Sequence, residues 1–372
     1  MRGRLLLGLG RGFAAAALWM AGMAMVSAAA QRCEAPASMR AQLADHPTAD
    51  TFADLGIALA NDQQYGCAAR AFAESLRMKP DSANVAFMFG TSLFFSGDAA
   101  DAVAPLQAAE QMASWNLKTH LILAGVFDQL HRFDEAKTEW KAALALDPES
   151  EEALDGLSEE LVLDGEFRPA IVLLENPRAA RQRDATQSLN LGLAYAGTGG
   201  ADQAIAALED GLNTSPDSLA IANELADVLV QAGRTNEAEE VFGLARARHP
   251  ADLDTALHCL RVLIGNDAAK AKTEGQDLLH AFPQSWEVLY LNGVVAIQDG
   301  DAAQARSYLS QSIALKPENA LSHSLMGLVL AQMHDLAGAQ LELERAIALG
   351  DHSPEVQENL ERVRQQRGGD HR

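Results

Sequence analysis

Carboxylates, histidines and cysteines are the side chains here that could carry chemistry, and their spacing gives none of them a reactive partner. Among 372 residues there are 51 Asp and Glu, 10 His and 3 Cys. Adjacent acids such as Glu159 and Glu160 could suggest acid–base catalysis, but neighbouring residues of a helix point in different directions. CxxC, HExxH, GxGxxG and GxxxxGK[ST] motifs are absent from the sequence. We therefore expect no catalytic residue, no metal site, no cofactor and no enzymatic activity.

The formal net charge of −22 limits the partners that the chain can have. A field of this sign repels nucleic acid and anionic lipid headgroups and attracts basic segments of proteins. The alternative explanation is that the charge only keeps a long, thin protein soluble. Both explanations predict that the chain does not bind nucleic acid.

Residues 1–30 have the pattern of a cleaved secretory signal. Arg2, Arg4 and Arg11 precede an apolar stretch, and Ala28 and Ala30 offer small residues to signal peptidase. Removal of three Arg and no acidic residue would change the formal charge from −22 to −25. We expect an exported protein, periplasmic or secreted. The alternative is an uncleaved anchor in the inner membrane, which would then be the chain's only membrane contact.

After residue 30 the sequence repeats with a period of 34 residues, and this period determines where helices are expected. Ala and Leu dominate and no segment alternates apolar with polar residues, so helices are expected throughout. Nine alanines recur at intervals of 34 residues, once 33, at positions 68, 102, 136, 170, 204, 238, 271, 305 and 339. Prolines fall in the same register at positions 47, 80, 148, 216, 250, 283 and 317. A fixed period of this length is typical of an array of stacked units.

With Pro80 as position 32, the first repeat spans residues 49–82 and the sequence resembles the tetratricopeptide repeat. Its positions 7, 8, 11, 20, 24 and 32 hold Leu55, Gly56, Leu59, Ala68, Phe72 and Pro80. The resemblance implies an all-α chain that forms a right-handed α-solenoid, or superhelix, of nine helix–turn–helix repeats. It also implies a scaffold or adaptor that binds proteins or peptides.

Several positions have a physical reason of their own. Small residues at positions 8 and 20 allow the two helices of a repeat to cross closely. Glycine at position 15 favours a left-handed residue that ends the first helix, and proline at position 32 ends the second. In repeat four, Pro169 and Pro177 predict a shortened second helix and a loosened stack near 175–185. Repeat seven lacks one residue and has Gly275 at position 24, where we expect thinner packing.

The same register divides the chain. We expect a signal peptide at 1–30, an N-terminal capping half-repeat at 31–48 and nine repeats at 49–352. A C-terminal capping helix and a disordered tail follow at 353–372, because Ser353 and Pro354 favour a helix start and Val356, Leu360 and Val363 form one apolar stripe.

The resemblance places positions 2, 5, 9, 12 and 13 on an inner, concave surface. Repeat two has Phe87, Phe94 and Phe95 at three of these positions, which predicts a site for an apolar peptide. The alternative is that these rings pack between neighbouring repeats or beneath the N-terminal cap.

A second candidate site is acidic. Repeat four has Glu152, Asp155 and Glu159 on the same face, and Asp128, Asn223 and Asp227 belong to nearby repeats. Such a strip would bind basic segments through charge-assisted hydrogen bonds. The alternative is ordinary solvated carboxylates. Some family members hold a partner's C-terminal carboxylate with Lys, Arg and Asn at positions 2, 5, 6 and 9. Here Lys118 stands alone, so that clamp is absent.

Cys33 and Cys67 occupy nearly the same position of consecutive units. A disulfide between them would fasten the N-terminal cap to repeat one, and two free thiols are the alternative. Cys259 is expected to be a buried small hydrophobic residue. His120 and His323 both fall at position 4, in the apolar stripe, which favours core histidines over metal ligands.

The sequence as a whole therefore predicts a non-catalytic scaffold that binds protein partners with basic or apolar segments outside the cytoplasm, in the cell envelope or beyond it. A carbohydrate-handling scaffold of a polysaccharide export system is one alternative, for which Trp286 and Tyr290 are the available aromatic residues. An unrecognised helical enzyme is another. The last alternative would require polar groups that converge in one deep pocket.

Overall fold

The computed structural model describes residues 33–113, 116–176 and 183–369, and these ranges contain α-helices and no β-strand. The expectation of an all-α chain of repeated helical hairpins is confirmed. The helices form two compact parts, Met1–Thr214 and Ser215–Arg372, which we call the N-terminal and C-terminal parts. The predicted signal segment, residues 1–30, lies outside the described residues.

The N-terminal part begins with a single helix and continues with five hairpins. Its helices are α1 (Ala37–Asp45), α2 (Ala49–Asn61), α3 (Tyr65–Met78), α4 (Ala83–Phe95), α5 (Ala99–Met112), α6 (Leu117–Gln129), α7 (Phe133–Leu146), α8 (Glu151–Leu163), α9 (Phe167–Leu174), α10 (Ala185–Thr198) and α11 (Ala201–Thr214).

The C-terminal part contains four hairpins and ends with a single helix. Its helices are α12 (Leu219–Gln231), α13 (Thr235–Arg248), α14 (Leu253–Asn266), α15 (Ala268–Ala281), α16 (Trp286–Gln298), α17 (Ala302–Leu315), α18 (Ala320–Gln332), α19 (Leu336–Ala348) and α20 (Pro354–Gly369). Val356, Leu360 and Val363 of α20 are 2%, 6% and 3% exposed, so the predicted apolar stripe packs onto the last hairpin.

Eight of the nine hairpins have a left-handed turn residue, whereas the shortened turn of repeat seven, at Asp267, is extended. Glycines 97, 165, 199, 233 and 300 have φ between 75° and 94°. In three other repeats Gln63, His131 and His334 adopt the same conformation at φ of 58° to 61°. A left-handed residue ends the first helix and returns the chain for the second.

Small residues at positions 8 and 20 bring the two helices of a hairpin together. The nine alanines at position 20 are all 0% exposed. A Cβ added to Gly90 would lie 2.5 Å from Cγ of Leu106, the position-24 residue of the same repeat. The pairs Gly56 with Phe72 and Gly192 with Leu208 are equally close. The large side chain at position 24 therefore packs directly on the backbone at position 8.

Two repeats depart from this plan where the sequence predicts it. In repeat four, α9 has only 8 residues, and the segment after it, 177–182, lies outside the described ranges. In repeat seven the turn is shortened to Asp267, which ends α14 and caps α15. The place opposite Gly275 is not left open, since Asn292 of repeat eight lies there and donates a hydrogen bond to the Gly275 carbonyl at 3.0 Å. Asn292 fills this one place, but α14 and α15 still contact each other less than the two helices of the full-length hairpins do, as the expectation of thinner packing predicts.

Among the described residues, none of the helices combines the length and the apolar character that a membrane span requires.

Candidate partner-binding surface

Carboxylates from the first helices of repeats three, four and five crowd together in the N-terminal part. We call this group the acidic cluster. It consists of Asp128 on α6, Glu151, Glu152, Asp155, Glu159 and Glu160 on α8, and Asp184, which caps α10. The three residues that the sequence predicts on repeat four belong to it. The helix starts place them there, because α8 and α10 begin at the same position of consecutive repeats.

Asp155 lies where α8 meets the start of α10. Its Oδ1 accepts a hydrogen bond of 2.8 Å from the Gln187 side chain, while the Gln187 backbone N–H donates to Asp184 at 2.8 Å. Burial raises the pKa of Asp155 to about 7, and the charge of Asp184 adds to the rise. A hydrogen bond with Asp184 also raises the pKa of Glu151. At neutral pH this corner of the cluster therefore holds protons that ordinary carboxylates would have released.

Glu160 and Asp128 form the other end of the cluster. Glu160 is 4% exposed, and its Oε2 has no hydrogen-bond partner. Burial raises the pKa of Glu160 to about 8, and both the charge of Asp128 and a hydrogen bond with it raise the pKa further. Burying a negatively charged carboxylate beside a second carboxyl group costs free energy unless a proton or a cation neutralises the charge. In the sequence, Glu160 stands out only as a neighbour of Glu159.

Glu152 and Glu159 lie between these two ends along α8. Glu152 is more than one-third exposed, although partial desolvation still raises its pKa. Glu159 is half-buried, and its charge contributes to the raised pKa of Glu160. These two carboxylates extend the cluster toward solvent, where a partner could reach it.

Three carboxyl groups of the acidic cluster lack a cationic partner among the described residues. No Lys or Arg in these ranges makes an ion pair with Glu152, Asp155 or Glu160. Lys137 is held by Asp164 at 2.6 Å and by Glu166 at 3.3 Å. When Asp155 and Glu160 ionise, no ion pair within the described ranges offsets their negative charge, which agrees with their raised pKa values.

Asn223 and Asp227 lie on α12 in the C-terminal part, and their surroundings are mixed rather than purely acidic. Burial raises the pKa of Asp227, whereas the charges of His258 and Arg261 lower it. Burial also raises the pKa of the neighbouring Glu224 to about 7. Oδ1 of Asn223 is buried without a hydrogen-bond partner. This second polar patch has cations of its own and so attracts a basic partner less strongly than the acidic cluster does.

The three phenylalanines of repeat two are half-buried within the stack of helices. Phe87 and Phe94 pack against the core that α5, α6 and α7 form, and the Phe94 ring lies 3.8 Å from where a Cβ on Gly125 would be. Phe95 stacks on Tyr65 with ring centroids 5.1 Å apart and contacts Phe94 at 5.8 Å. This arrangement matches the alternative in which the rings pack between neighbouring repeats. An apolar-peptide site at these rings stays a prediction.

The two aromatic residues considered for sugar binding are also engaged. The Lys316 ammonium lies over the Trp286 ring, 4.2 Å from its centroid. Tyr290 is half-buried, and burial raises the pKa of its hydroxyl. One face of the indole is thus covered by a cation–π contact, which leaves less of the ring for stacking on a sugar.

Cys33 and Cys67 are joined by a disulfide with a Cα–Cα distance of 5.3 Å, and Cys259 is a buried free thiol. Of the two alternatives in the sequence analysis, the structure contains the bond. It links the residues before α1 to the first turn of α3.

Two histidine–glutamate pairs were not predicted from the sequence. Nδ1 of His120 lies 2.7 Å from Oε2 of Glu139, and Nδ1 of His323 lies 2.6 Å from Oε2 of Glu342. Both pairs use positions 4 and 23 of their repeats, so comparing repeats three and nine position by position could have revealed them. In repeat three a third group, Glu110 of α5, lies close to the pair.

Helical hairpins that bury their apolar faces against the next hairpin define an α-solenoid, a class of protein that offers an extended surface for binding. Residues 196–258 match the family model described as Tetratricopeptide repeat. Together with the repeating hairpins of the structure, this match identifies residues 196–258 as tetratricopeptide repeat sequence.

Three similar proteins illustrate how far the likeness extends. Over 115 residues the chain is 30% identical to Tetratricopeptide repeat protein 7B of Homo sapiens. The aligned region covers 31% of this chain and 14% of that protein. Over 112 residues it is 31% identical to the Probable biofilm formation methyltransferase WspC of Pseudomonas putida, which covers 29% of this chain and 26% of that protein. The solved structure of MamA from Desulfovibrio magneticus RS-1 aligns with 46% of this chain and 97% of that chain, at 19% identity and a TM-score of 0.43. The chain thus spans about a quarter or less of the length of these two curated relatives.

Proposed function

We propose that this chain is a scaffold that captures a basic segment of a protein partner on the acidic cluster. Tetratricopeptide repeats are protein-interaction modules, typically without catalytic activity, and the family supports that much. The choice of a basic partner rests on the carboxylates of α6, α8 and α10. The observation that carries it is Glu160, a carboxyl group that is 4% exposed, lies beside Asp128 and leaves one oxygen without a partner.

A lysine or arginine side chain of the partner would satisfy the cluster chemically. It would donate charge-assisted hydrogen bonds to carboxylates that now accept few, and it would replace the protons held at Asp155 and Glu160. Binding should therefore release protons near neutral pH. Affinity should increase between about pH 6 and pH 8, since the pKa values of Asp155 and Glu160 are about 7 and about 8.

The test uses residues 31–372 and two labelled peptides, one rich in Lys and Arg and one rich in Glu. The triple variant Glu152→Gln, Asp155→Asn and Glu159→Gln should weaken binding of the basic peptide by roughly tenfold or more in fluorescence anisotropy. The matched control changes three exposed acids of α11, Asp202→Asn, Glu209→Gln and Asp210→Asn, and so replaces the same number of acidic side chains.

The control separates a specific site from a general field. It should reduce binding of the basic peptide by no more than about twofold, because exposed and distant charges are screened. Equal losses in both triple variants, or equal binding of the Glu-rich peptide, would show that the acidic cluster is not the site.

We also propose that the protein acts outside the cytoplasm, in the cell envelope or beyond it. Two observations support this: the signal-like pattern of residues 1–30, and the disulfide between Cys33 and Cys67. Structural disulfides persist mainly in oxidising compartments. The methyltransferase name belongs to the Pseudomonas putida protein as a whole and is not carried over to this chain.

A further inference from the structure

Three side chains with metal-binding atoms meet between repeats two and three. Glu110 comes from α5, His120 from α6 and Glu139 from α7, and one ligand atom of each lies within 4.8 Å of the others. His120 is 5% exposed and Glu139 is 9% exposed, so the group is largely shielded from water. None of these three residues belongs to the acidic cluster.

Repeat nine shows which part of this group is structural. Its His323 and Glu342 occupy the same positions 4 and 23 and make the same contact, at 2.6 Å. The residue that corresponds to Glu110, at position 28 of the preceding repeat, is Ile313, which packs against the apolar core. A His–Glu pair therefore needs no further carboxylate to fit this fold.

The hydrogen bond between His120 and Glu139 therefore does not explain why a third polar residue, Glu110, lies beside the pair. Glu139 is 9% exposed and already hydrogen-bonded to His120, and a carboxylate oxygen of Glu110 lies within 4.8 Å of the ligand atoms of both. Two carboxylates near one another in a shielded site repel, and an apolar residue such as the Ile313 of repeat eight avoids that repulsion. A bound divalent cation would turn the repulsion into attraction.

We propose that Glu110, His120 and Glu139 bind a divalent transition-metal ion, for which Zn²⁺ is the representative. One imidazole nitrogen and two carboxylate oxygens are ligands that Zn²⁺ takes at about 2.0 to 2.2 Å. Two ionised glutamates and a neutral histidine would balance the charge of the ion. Nδ1 of His120 would exchange its contact with Glu139 for the metal, and a water would complete four-fold coordination.

Such an ion would join three consecutive helices. It would connect the second helix of repeat two to both helices of repeat three. Because the unfolded chain does not present these ligands together, binding of the ion adds to the stability of the fold. This role is independent of the proposed capture of a basic partner.

The test titrates Zn²⁺ into metal-free residues 31–372 by isothermal calorimetry, beside thermal unfolding followed by circular dichroism. We expect one ion per chain and a higher midpoint of unfolding with Zn²⁺. Glu110→Gln should weaken binding by at least about tenfold and remove the thermal shift. The matched control Glu342→Gln changes the pair of repeat nine and should leave both unchanged.

A second variant guards against a misfolded Glu110→Gln protein. Glu110→Ile copies the residue found in repeat eight, so it should fold normally and still lose the ion. With Co²⁺ as probe, visible absorption bands of a low-coordinate site should appear in the wild-type chain and in Glu342→Gln, and be absent from Glu110→Ile. If wild-type and Glu110→Ile proteins bind Zn²⁺ equally, the ion sits elsewhere and the proposal is wrong. Absence of stoichiometric binding to the wild-type chain would overturn it as well.

Discussion

At the scale of single residues, Asp155 shows how a neighbour on another helix changes the chemistry of a surface carboxylate. Its pKa is raised to about 7 by burial first and by the charge of Asp184 second. The folded state therefore binds a proton more tightly than the unfolded chain, in which an aspartate titrates near about 4. Stability that depends on this group is full at low pH and is lost as the pH rises from about 4 toward 7.

Replacing Asp155 by Asn should remove this loss. Asn keeps the acceptor for Gln187 and cannot ionise, so at pH 8 the variant should be more stable than the wild type by about 1 to 2 kcal/mol. That figure is well below the free energy that the whole pKa shift would correspond to, because Asp155 is partly exposed and its titration depends on its neighbours. The advantage should shrink as the pH falls toward 4. Midpoints of urea unfolding measured across this range test it.

Asp210→Asn, on the exposed side of α11, provides the control for that series. The difference in stability between this variant and the wild type should not vary with pH over the same range. If Asp155→Asn gave a difference just as flat, the carboxylate would not carry the raised pKa that its contacts imply.

The sequence identified the position of Asp155 but not its chemistry. Positions 2, 5 and 9 place Glu152, Asp155 and Glu159 on one face, and the register alone is enough for that. The raised pKa values depend on Asp128 and Asp184, which approach α8 from the repeats on either side. How closely they approach is set by the stacking of helices, which a single repeat pattern does not specify. For the same reason Glu160, at position 10, was not recognised as the most buried acid of the group.

At the scale of helices, the register predicted the hairpins well because each signal has a local cause. Left-handed glycines, fully buried alanines and the shortened α9 all follow from backbone or steric rules. The register does not specify the caps. At the start of α4, for example, the side chain that accepts from the helix backbone is that of Ser82, two residues after Pro80. The contact between Asn292 and Gly275 was not predicted either, because it joins two different repeats.

Gly90 tests how tightly the helices of one hairpin are packed. In Gly90→Ala the new methyl group would lie 2.5 Å from Cγ of Leu106 and 3.1 Å from the Ala102 carbonyl oxygen, and a backbone atom cannot simply rotate away. We expect a loss of about 1 to 3 kcal/mol in the free energy of unfolding. Urea unfolding followed by circular dichroism measures it.

Gly125→Ala is the matched change on α6. There the new methyl group would meet only Cζ of Phe94, at an ordinary contact distance of 3.8 Å. The variant should be as stable as the wild type or gain up to about 1 kcal/mol, because alanine favours helix more than glycine does. If both alanine variants had the same stability, close crossing at position 8 would not be what the small residue provides.

At the scale of the whole molecule, the formal charge of −22 is spread over a chain in which most acids are ordinary surface groups. Net charge of this size favours solubility and disfavours nucleic acid, but it does not choose a partner. The choice comes from the few carboxylates that the packing of α6, α8 and α10 desolvates. Specificity in such a protein is therefore a property of neighbouring repeats, whereas the fold is a property of each repeat.

The compartment of the molecule should be visible in its covalent state. When all 372 residues are produced in a Gram-negative bacterium, we expect cleavage after Ala30 and recovery of the protein outside the cytoplasm with Cys33 and Cys67 joined. Production of residues 31–372 in the cytosol should give the same two cysteines as thiols, because that compartment is reducing. Intact-mass measurement before and after alkylation distinguishes the two states, with Cys259 as the thiol that stays free in both. A full-length chain that keeps residues 1–30 and sediments with the inner membrane would favour the anchored alternative. An uncleaved chain in the cytosol with both cysteines reduced would contradict export altogether.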